Sequence, residues 1–382
     1  MSVPSTSISR VFTPSSVTER NLVRVNEDDL LRYHGDLATA GAVDPGCGIV
    51  DFAVNVRAPG PPEWLAAALR DGIPGLGSYP PAAVTDSARA AVAEHHGVDP
   101  GCVLLLSGAA EGFSLIAGLG ARHPVVVHPG FTEPEAALRA AGARVERMVL
   151  DAPFTLAGRT PPEDADLVVI GNPTNPTGVL HPAAVIRGWC RPGRTTVVDE
   201  AFMDLTDESC SLAAEVARHP GLVVLRSLTK TFSLAGLRCG YLLAAPELVH
   251  ELAARRPHWP LGTLQAVAIR TALKEGAGFV AAETRAVARQ RTEMVSALLG
   301  AGFTVHTRSR APYLLVTPPV DDPEATRVAL ARRGIAVRRC DTFPGLDNTH
   351  WRLAVRGAPE VATLVEAVTG HTPNNVKERE RQ

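Results

Sequence analysis

Short, uninterrupted apolar runs alternate with segments of helical length between about residues 104 and 241. Val, Leu and Ile runs lie at residues 125–127, 167–170, 196–198, 222–225 and 240–243, and residues 133–142 have the pattern of a helix. Continuous apolar runs between helices indicate strands covered on both faces, as in a mostly parallel sheet. We therefore expect an α/β fold with a large domain over residues 57–260.

The pattern changes after Pro260. Ala- and Arg-rich helical segments at 264–273 and 283–299 are followed by apolar runs at 303–305, 313–316, 335–337 and 353–355. These segments predict a smaller α+β domain formed by residues 29–56 and 261–370. Residues 1–28, which are rich in Ser and Thr, are expected to form a flexible arm, and residues 371–382 a disordered tail.

Composition narrows the class of protein. The 382 residues are 45% hydrophobic and carry a net charge of −2, which gives no general attraction to nucleic acid or to an anionic membrane. The chain lacks an apolar run long enough to span a membrane, and its start lacks the apolar stretch of a secretory signal. Six scattered cysteines show no spacing typical of zinc ligands or disulfides. We expect a cytoplasmic protein with reduced thiols and no metal site.

The chain contains only three lysines, Lys230, Lys274 and Lys377. An amine can lose a proton and form a Schiff base with an aldehyde, whereas a guanidinium cannot. Lys274 lies in a helical pattern and Lys377 in a charged tail, where a solvated amine is expected. Lys230 instead follows the apolar run 222–225, among hydroxyl side chains. It is the candidate for covalent chemistry.

Other candidates follow the predicted strands, and ligands of such sheets bind beyond the carboxyl ends of the strands. An aldehyde cofactor held on Lys230 would need partners for a ring nitrogen, a phenolic oxygen, an aromatic face and a phosphate. Asp199 could keep the pyridine nitrogen of such a cofactor protonated, or it could cap a helix. Asn175 could donate to a phenolic oxygen, or it could serve a turn between prolines. Phe131 could stack on a ring or belong to the core.

An anion site is predicted at the helix start in residues 107–111, SGAAE. Free backbone N–H groups at the beginning of a helix bind anions. Ser227 and Arg238 could complete this cradle.

Five motifs in this order resemble the fold-type I, class I/II aminotransferases, which use pyridoxal 5′-phosphate (PLP). They are SGAAE at 107–111, PGF at 129–131, NPTNPTG at 172–178, DEAF at 199–202, and SLTK at 227–230 with AGLRCGY at 235–241. The resemblance covers roughly residues 33–368. It implies that Lys230 binds the cofactor aldehyde and that Asp199 pairs with its ring nitrogen. It also implies cofactor contacts from Ala109, Ala110, Phe131, Asn175, Ser227 and Arg238.

The two ends of the chain resemble one branch of this superfamily, the threonine-phosphate decarboxylases of cobalamin biosynthesis, which are related to histidinol-phosphate aminotransferases. The similar segments are YHG at 33–35, DFAVNV at 51–56, YP at 79–80, GIAVRRC at 334–340 and WRLAVR at 351–356. The resemblance implies substrate contacts from His34, Asn55, Asn175, Arg338 and Arg352. It also implies that Tyr79 reaches the cofactor phosphate of a neighbouring subunit in a homodimer.

The sequence departs from the decarboxylase pattern at Asp36, Pro81, Gly262 and Pro312, and in residues 57–60. These positions belong to segments implied to bind the substrate, whereas the cofactor motifs are complete. The resemblance therefore specifies the cofactor more firmly than the substrate.

The N-terminal segment alone favours a lyase that decarboxylates L-threonine O-3-phosphate, or a similar phosphorylated or phosphonate amino acid, to (R)-1-amino-2-propanol O-2-phosphate. The alternative is a histidinol-phosphate-type aminotransferase that uses a 2-oxoacid acceptor. A third hypothesis is a non-catalytic protein that keeps the fold, and the presence of Lys230, Asp199, Asn175 and Arg238 argues against it. Sequence order does not reveal which bond at the substrate Cα is held perpendicular to the ring, and this orientation decides between the first two reactions.

Overall fold

A computed structural model describes residues 31–33 and 48–370. The expectations for the N-terminal arm, His34 and the C-terminal tail concern residues outside this described part. The strands are β1 (Val50–Asp51), β2 (Val103–Leu106), β3 (Pro124–His128), β4 (Glu146–Val149), β5 (Leu167–Gly171), β6 (Thr195–Asp199), β7 (Leu222–Ser227), β8 (Gly240–Leu243), β9 (Thr304–Val305), β10 (Tyr313–Thr317), β11 (Ile335–Ala336), β12 (Arg338–Arg339) and β13 (Trp351–Ala354).

The α-helices are α1 (Glu63–Gly72), α2 (Ala82–His96), α3 (Ala109–Ala117), α4 (Glu133–Ala140), α5 (Ala183–Arg187), α6 (Pro246–Ala253), α7 (Thr263–Glu275), α8 (Ala277–Gly300), α9 (Pro323–Arg332) and α10 (Ala358–Thr369). Within the described residues, no helix combines the length and apolar character needed to cross a membrane.

Seven strands form the central sheet in the order β2-β8-β7-β6-β5-β3-β4. Its pairings are parallel except those of β8, which runs antiparallel to both β2 and β7. Apolar side chains on the two faces of the sheet lie in two separate buried clusters, which include residues of α2 and α7 in one and of α3, α4 and α6 in the other. The prediction of an α/β fold with a mostly parallel sheet is confirmed.

A smaller antiparallel sheet has the order β12-β13-β10-β9, and β1 pairs in parallel with β11. Its core contains Phe52, Met294, Trp351 and Leu364, which joins the segment around β1 to helices α8 and α10. This arrangement brings residues near 52 together with residues beyond 290.

Helix α7 lies in a different place from the one predicted. The sequence assigns residues 261–370 to the smaller domain, but Ala266, Ala268 and Ile269 of α7 belong to the same buried cluster as Ala88 and Val92 of α2. The composition changes to Ala- and Arg-rich helices after Pro260, but the chain continues to pack against the large sheet through α7. The other domain limits stay predictions.

Candidate active site

Three neighbouring parallel strands bring Asn175, Asp199 and Lys230 to one edge of the large sheet. In the register, Gly171 of β5 pairs with Asp199 of β6, and Asp199 pairs with Leu225 of β7. Asn175 lies in the loop after β5, and Lys230 lies in the turn after β7. The strand ends thus gather the three residues that carry the predicted cofactor chemistry.

Asp199 is half-buried at the end of β6. Burial raises the pKa of its carboxyl to about 6, while a hydrogen bond from the Ala201 N–H and the positive charge of Lys230 favour the carboxylate. Its Oδ1 accepts the Ala201 N–H at 3.1 Å. The helix-cap alternative is wrong, because the short 3₁₀ helix Met203–Leu205 begins after Phe202.

Asn175 is buried and oriented by an arginine. Arg352 Nη1 donates to Asn175 Oδ1 at 3.0 Å. Because that bond occupies the amide oxygen, the Nδ2 amide group remains to donate elsewhere. The carbonyl of the preceding residue, Thr174, accepts the hydroxyl of Tyr313 at 3.1 Å. The loop is therefore held by contacts from the smaller sheet.

The predicted phosphate cradle surrounds the start of α3. No side chain caps this helix at Gly108, whose φ is +78°. A Cβ at Gly108 would lie 2.8 Å from Arg238 Nη2, and a Cβ at Gly240 would lie 2.8 Å from the Ala109 nitrogen. Ser227 pairs with Gly240 in the sheet. The backbone of α3, Ser227 and the Arg238 guanidinium therefore converge, as predicted for an anion site.

Gln265, which the sequence did not single out, braces this cradle. Its Nε2 donates to Ser107 Oγ at 3.0 Å and to the Arg238 carbonyl at 2.9 Å. Arg238 itself has a φ of +62°, and it forms no salt bridge within the described residues. Its guanidinium charge is thus available to an anion.

Arg338 and Arg352 face each other across β12 and β13. Only 3% of Arg338 and 6% of Arg352 is exposed, and neither forms a salt bridge within residues 31–33 and 48–370. Burial and the charge of Arg352 lower the pKa of Arg338 to about 10. Two buried like charges without a carboxylate are unfavourable unless an anion compensates them. This pair is therefore the best candidate in the described chain for binding an anionic substrate.

Leu31 and Tyr33 contact two different parts of the site. Arg338 Nη2 donates to the Tyr33 carbonyl at 2.7 Å, and its guanidinium lies 4.7 Å from the Tyr33 ring and 4.8 Å from the Phe343 ring. The Leu31 carbonyl accepts the Thr132 hydroxyl at 2.5 Å. Thr132 follows Phe131, so this segment connects the loop of Phe131 with Arg338.

Asn55, Phe131 and His34 are the remaining residues predicted to contact substrate or cofactor. Asn55 is buried, and its Oδ1 has no hydrogen-bond partner among the residues that the structure describes, which suits an acceptor for a ligand donor. Phe131 is half-buried, with its ring centroid 6.2 Å from that of Phe113. Their predicted substrate and cofactor contacts stay predictions, and His34 lies outside the described residues.

Tyr79 lies on the surface of the protomer. It is 71% exposed and stacks on Trp259 with 4.2 Å between ring centroids. Its predicted contact with the cofactor of a neighbouring subunit stays a prediction.

An ion cluster around the buried Arg226 was also missed by sequence reasoning. We call Arg226, Glu200, Asp204 and Glu208 the Arg226 cluster. Arg226 Nη1 lies 2.8 Å from Asp204 Oδ1, Nη2 lies 2.6 Å from Glu208 Oε2, and Nε lies 3.3 Å from Glu200 Oε2. The available signal was a charged residue within the otherwise apolar strand β7.

The chain is similar to aminotransferases in sequence and in structure. Residues 48–368 match the family described as aminotransferase class I and II. A histidinol-phosphate aminotransferase from Mycobacterium tuberculosis is 47% identical over 339 residues, which cover 88% of this chain and 90% of the relative. The threonine-phosphate decarboxylase of Salmonella typhimurium is 29% identical over 357 residues, which cover 88% and 96%, respectively.

The fold also matches a solved structure. The crystal structure of the histidinol-phosphate aminotransferase from Sinorhizobium meliloti in complex with pyridoxal 5′-phosphate superposes with a TM-score of 0.72 at 22% identity, covering 83% of this chain and 89% of that chain. Since the family match spans most of the sequence, this chain belongs to the class I and II aminotransferases, and its cofactor is PLP.

Proposed function

We propose that the protein is an aminotransferase of the histidinol-phosphate type, which moves an amino group between a phosphorylated amine and a 2-oxoacid. The main support is the 47% identity to a histidinol-phosphate aminotransferase over 88% of the chain. Arg338 and Arg352, which are buried and form no salt bridge with any described residue, support an anionic substrate independently. Both partners of such a reaction are anions, one a phosphate ester and the other a carboxylate.

The residues at the strand ends fit PLP. The uncapped start of α3, Ser227 and Arg238 offer donors for the cofactor phosphate, and the close approach at Gly108 and Gly240 leaves no room for a side chain there. Lys230 would hold the cofactor aldehyde, and Phe131 would cover one face of the ring. When bound, PLP withdraws electrons from the Cα of an attached amino compound.

The side chains of the site then have separate tasks in the proposed transamination. Asp199 would hold a proton at the ring nitrogen, and Asn175 would donate Nδ2–H to the phenolic oxygen while Arg352 occupies its Oδ1. Once the substrate amine has displaced it from the cofactor aldehyde, the Lys230 amine would be free to accept the proton of the substrate Cα–H bond and to hold it for transfer. Arg338 and Arg352, with His34 and the Nδ2–H donor of Asn55, would hold the anionic groups of the substrate so that the Cα–H bond points toward Lys230.

Decarboxylation of a phosphorylated amino acid is the second candidate. The N-terminal segment of the sequence favoured it, and the chain is 29% identical to a threonine-phosphate decarboxylase across 96% of that protein. The cofactor residues serve either reaction and do not distinguish them. We prefer the aminotransferase because the identity to that relative is higher, 47% compared with 29%. The difference would lie in whether the substrate carboxylate or the Cα–H is held perpendicular to the ring.

A homodimer is part of the proposal. Tyr79 and Trp259 form an exposed stacked pair, and Ile73 and Leu76 nearby in sequence are also about half exposed, at 53% and 51%. An exposed group of large apolar side chains is typical of a protein interface. A second copy would cover this surface and receive Tyr79 near its cofactor phosphate.

Product analysis tests the choice of reaction. Purified protein with PLP would be incubated with histidinol phosphate or with threonine phosphate, each with and without 2-oxoglutarate, and glutamate and carbon dioxide would be recorded. We expect glutamate from histidinol phosphate only when 2-oxoglutarate is present. Carbon dioxide release from threonine phosphate without an acceptor would instead establish the decarboxylase, and no turnover of either substrate would reject both candidates.

A further inference from the structure

The Arg226 cluster, together with Thr231, which donates to Asp204, adjoins the proposed PLP site through three peptide bonds. Glu200 directly follows Asp199, Arg226 directly precedes Ser227, and Thr231 directly follows Lys230. The residue proposed to bind the phosphate therefore follows Arg226 itself, and the residue proposed to bind the ring nitrogen precedes Glu200, which contacts the Arg226 guanidinium. The residue proposed to bind the aldehyde precedes Thr231, which is linked to the same guanidinium through Asp204. No other buried ion group among the described residues has this relationship to all three.

Glu200 is fixed on every side. Its Oε1 accepts the Leu212 N–H at 2.8 Å, and its Oε2 accepts the Ser211 hydroxyl at 2.6 Å. Its own N–H donates to the Leu225 carbonyl at 2.9 Å. Since the next peptide unit toward the N-terminus carries Asp199, rotation of the Asp199 backbone would break these contacts.

Asp204 makes the corresponding link to the turn of Lys230. Its Oδ1 accepts Arg226 Nη1 at 2.8 Å, and its Oδ2 accepts the Thr231 hydroxyl at 3.2 Å. Its carbonyl accepts the Thr284 hydroxyl of helix α8 at 3.1 Å. Asp204 thus connects the residue after Lys230 with Arg226 through its carboxylate, and with α8 through its backbone carbonyl.

Stability alone is a poor explanation for this cluster. Arg226 is 1% exposed and Glu200 is 1% exposed, and a buried ion pair is often no more stabilising than apolar side chains of the same volume. Such groups can instead fix one conformation out of several. Burial also raises the pKa of Glu200 to about 7, opposed mainly by the charge of Arg226. Burying the charges of Arg226 and Glu200 therefore costs desolvation free energy, and it does so beside residues whose positions relative to PLP are important.

We propose that the Arg226 cluster positions Asp199, Ser227 and Lys230 relative to one another for PLP binding. Arg226, Glu200, Asp204 and Thr231 are positioning residues, and none of them is assigned a contact with cofactor or substrate. The inference rests on the proposed PLP site and is independent of which substrate the enzyme uses.

Thr231 allows a test that leaves the ion pairs in place. Thr231→Val removes the hydroxyl that donates to Asp204, whereas Thr231→Ser keeps it. We expect Thr231→Val to raise the Kd for PLP about tenfold, the effect of one lost hydrogen bond to a charged group, and to shift the pH midpoint of the visible absorption of lysine-bound PLP. Thr231→Ser should restore both quantities to nearly wild-type values.

Arg194→Gln is the matched control for loss of stability. Arg194 is also buried, at 5% exposure, but it lies at the opposite end of β6 and donates to the carbonyls of Ala165 and Pro162. The Arg194→Gln variant should have a lower melting temperature than wild type, with the same Kd for PLP and the same pH midpoint of the absorption. Unchanged values in Thr231→Val, or a failure of Thr231→Ser to restore them, would overturn the proposal. If wild-type protein formed no absorbing species at Lys230, the proposed PLP site itself would be wrong.

Discussion

Arg352 and Asn175 are joined by a hydrogen bond of 3.0 Å between Nη1 and Oδ1, and this bond connects the smaller sheet to the loop after β5. The arginine proposed to bind the substrate thus also orients the amide proposed to bind the cofactor. A substitution of Arg352 should therefore change the binding of both the substrate and the cofactor. The same coupling is not expected of Arg338, which has no contact with Asn175.

Replacing either arginine should weaken substrate binding. Each of Arg338→Ala and Arg352→Ala should lower kcat/KM for the phosphorylated substrate by roughly ten- to a hundredfold, because a charge-assisted hydrogen bond contributes about 1.5–3 kcal/mol. Only Arg352→Ala should also shift the visible absorption of bound PLP, since Asn175 loses its partner. Steady-state kinetics and absorption spectra measure the two effects.

Arg339→Ala is the control for these variants. Arg339 neighbours Arg338 in sequence, but its guanidinium already pairs with Asp341. Its replacement should leave kcat/KM unchanged. Wild-type kinetics in both Arg338→Ala and Arg352→Ala would refute the assignment of the anion site.

Lys230→Ala should abolish the visible absorption of protein purified with PLP, because only the Lys230 amine is proposed to bind the aldehyde. Lys274→Ala should retain the absorption, as Lys274 is on the surface and pairs with Glu94. Borohydride reduction followed by peptide mass spectrometry would locate the pyridoxyl group. A label on another lysine would show that the site is wrongly assigned.

Gly108→Ala should raise the Kd for PLP by about tenfold or more. Its φ is +78°, and the new Cβ would lie 2.8 Å from Arg238 Nη2, so the guanidinium must move away from the start of α3. Gly120→Ala, close to the other end of α3, is the control, because its φ is +75° but no atom lies within 4 Å of the new Cβ. That variant should lose about 1 kcal/mol of stability and keep its affinity for PLP. Equal affinities in the two variants would count against the phosphate cradle.

Asp199 should make the stability of the cofactor-free protein depend on pH. Burial raises its folded-state pKa to about 6 from an ordinary value of 3.8. A raised pKa favours folding below about pH 4, where the carboxyl is protonated in both states, and this contribution is lost as the pH rises through 6. The urea midpoint of wild type relative to Asp199→Asn should therefore fall between pH 4 and pH 7. A constant difference across that range would show that the carboxyl titrates normally.

Tyr79→Phe should raise the Kd for PLP although Tyr79 is 71% exposed within its own protomer. The reason is the proposed contact with the cofactor phosphate of a second copy. Leu299→Ala, at a residue that is 55% exposed and has no proposed role, should leave the Kd unchanged. Sedimentation should give a dimer, and an active monomer would contradict the shared site.

The sequence predicted the strand ends well because two local signals coincide there. Continuous apolar runs located β5, β6 and β7, and the carboxyl ends of parallel strands necessarily meet at one edge. The sequence alone therefore predicts that Asp199 and Lys230 lie near Asn175. Arg338 and Arg352 were recognised only by resemblance, since their pairing depends on strands separated along the chain.

The contacts that sequence reasoning missed are all non-local. Gln265 contacts the phosphate cradle from α7, which is distant from it in the sequence. The antiparallel direction of β8 depends on its pairing with β7 and cannot be predicted from its apolar run. Residues 261–275 were assigned to the wrong core because composition changes at Pro260 while packing does not. Arg226 was overlooked because its three carboxylate partners follow a different strand.

The reversed strand β8 makes the length of one loop important. β7 and β8 pair antiparallel, with Ser227 opposite Gly240, and the Leu228 N–H donates to the Cys239 carbonyl at 3.1 Å. Residues 228–239 are therefore held at both ends while carrying both Lys230 and Arg238. Most surface loops accept insertions, but a single added residue here would separate the amine from the guanidinium or break the strand pairing. Length variants of this loop should be among the least tolerated in the chain, whereas substitutions at Ala235 and Gly236, its exposed positions other than Arg238, should be accepted.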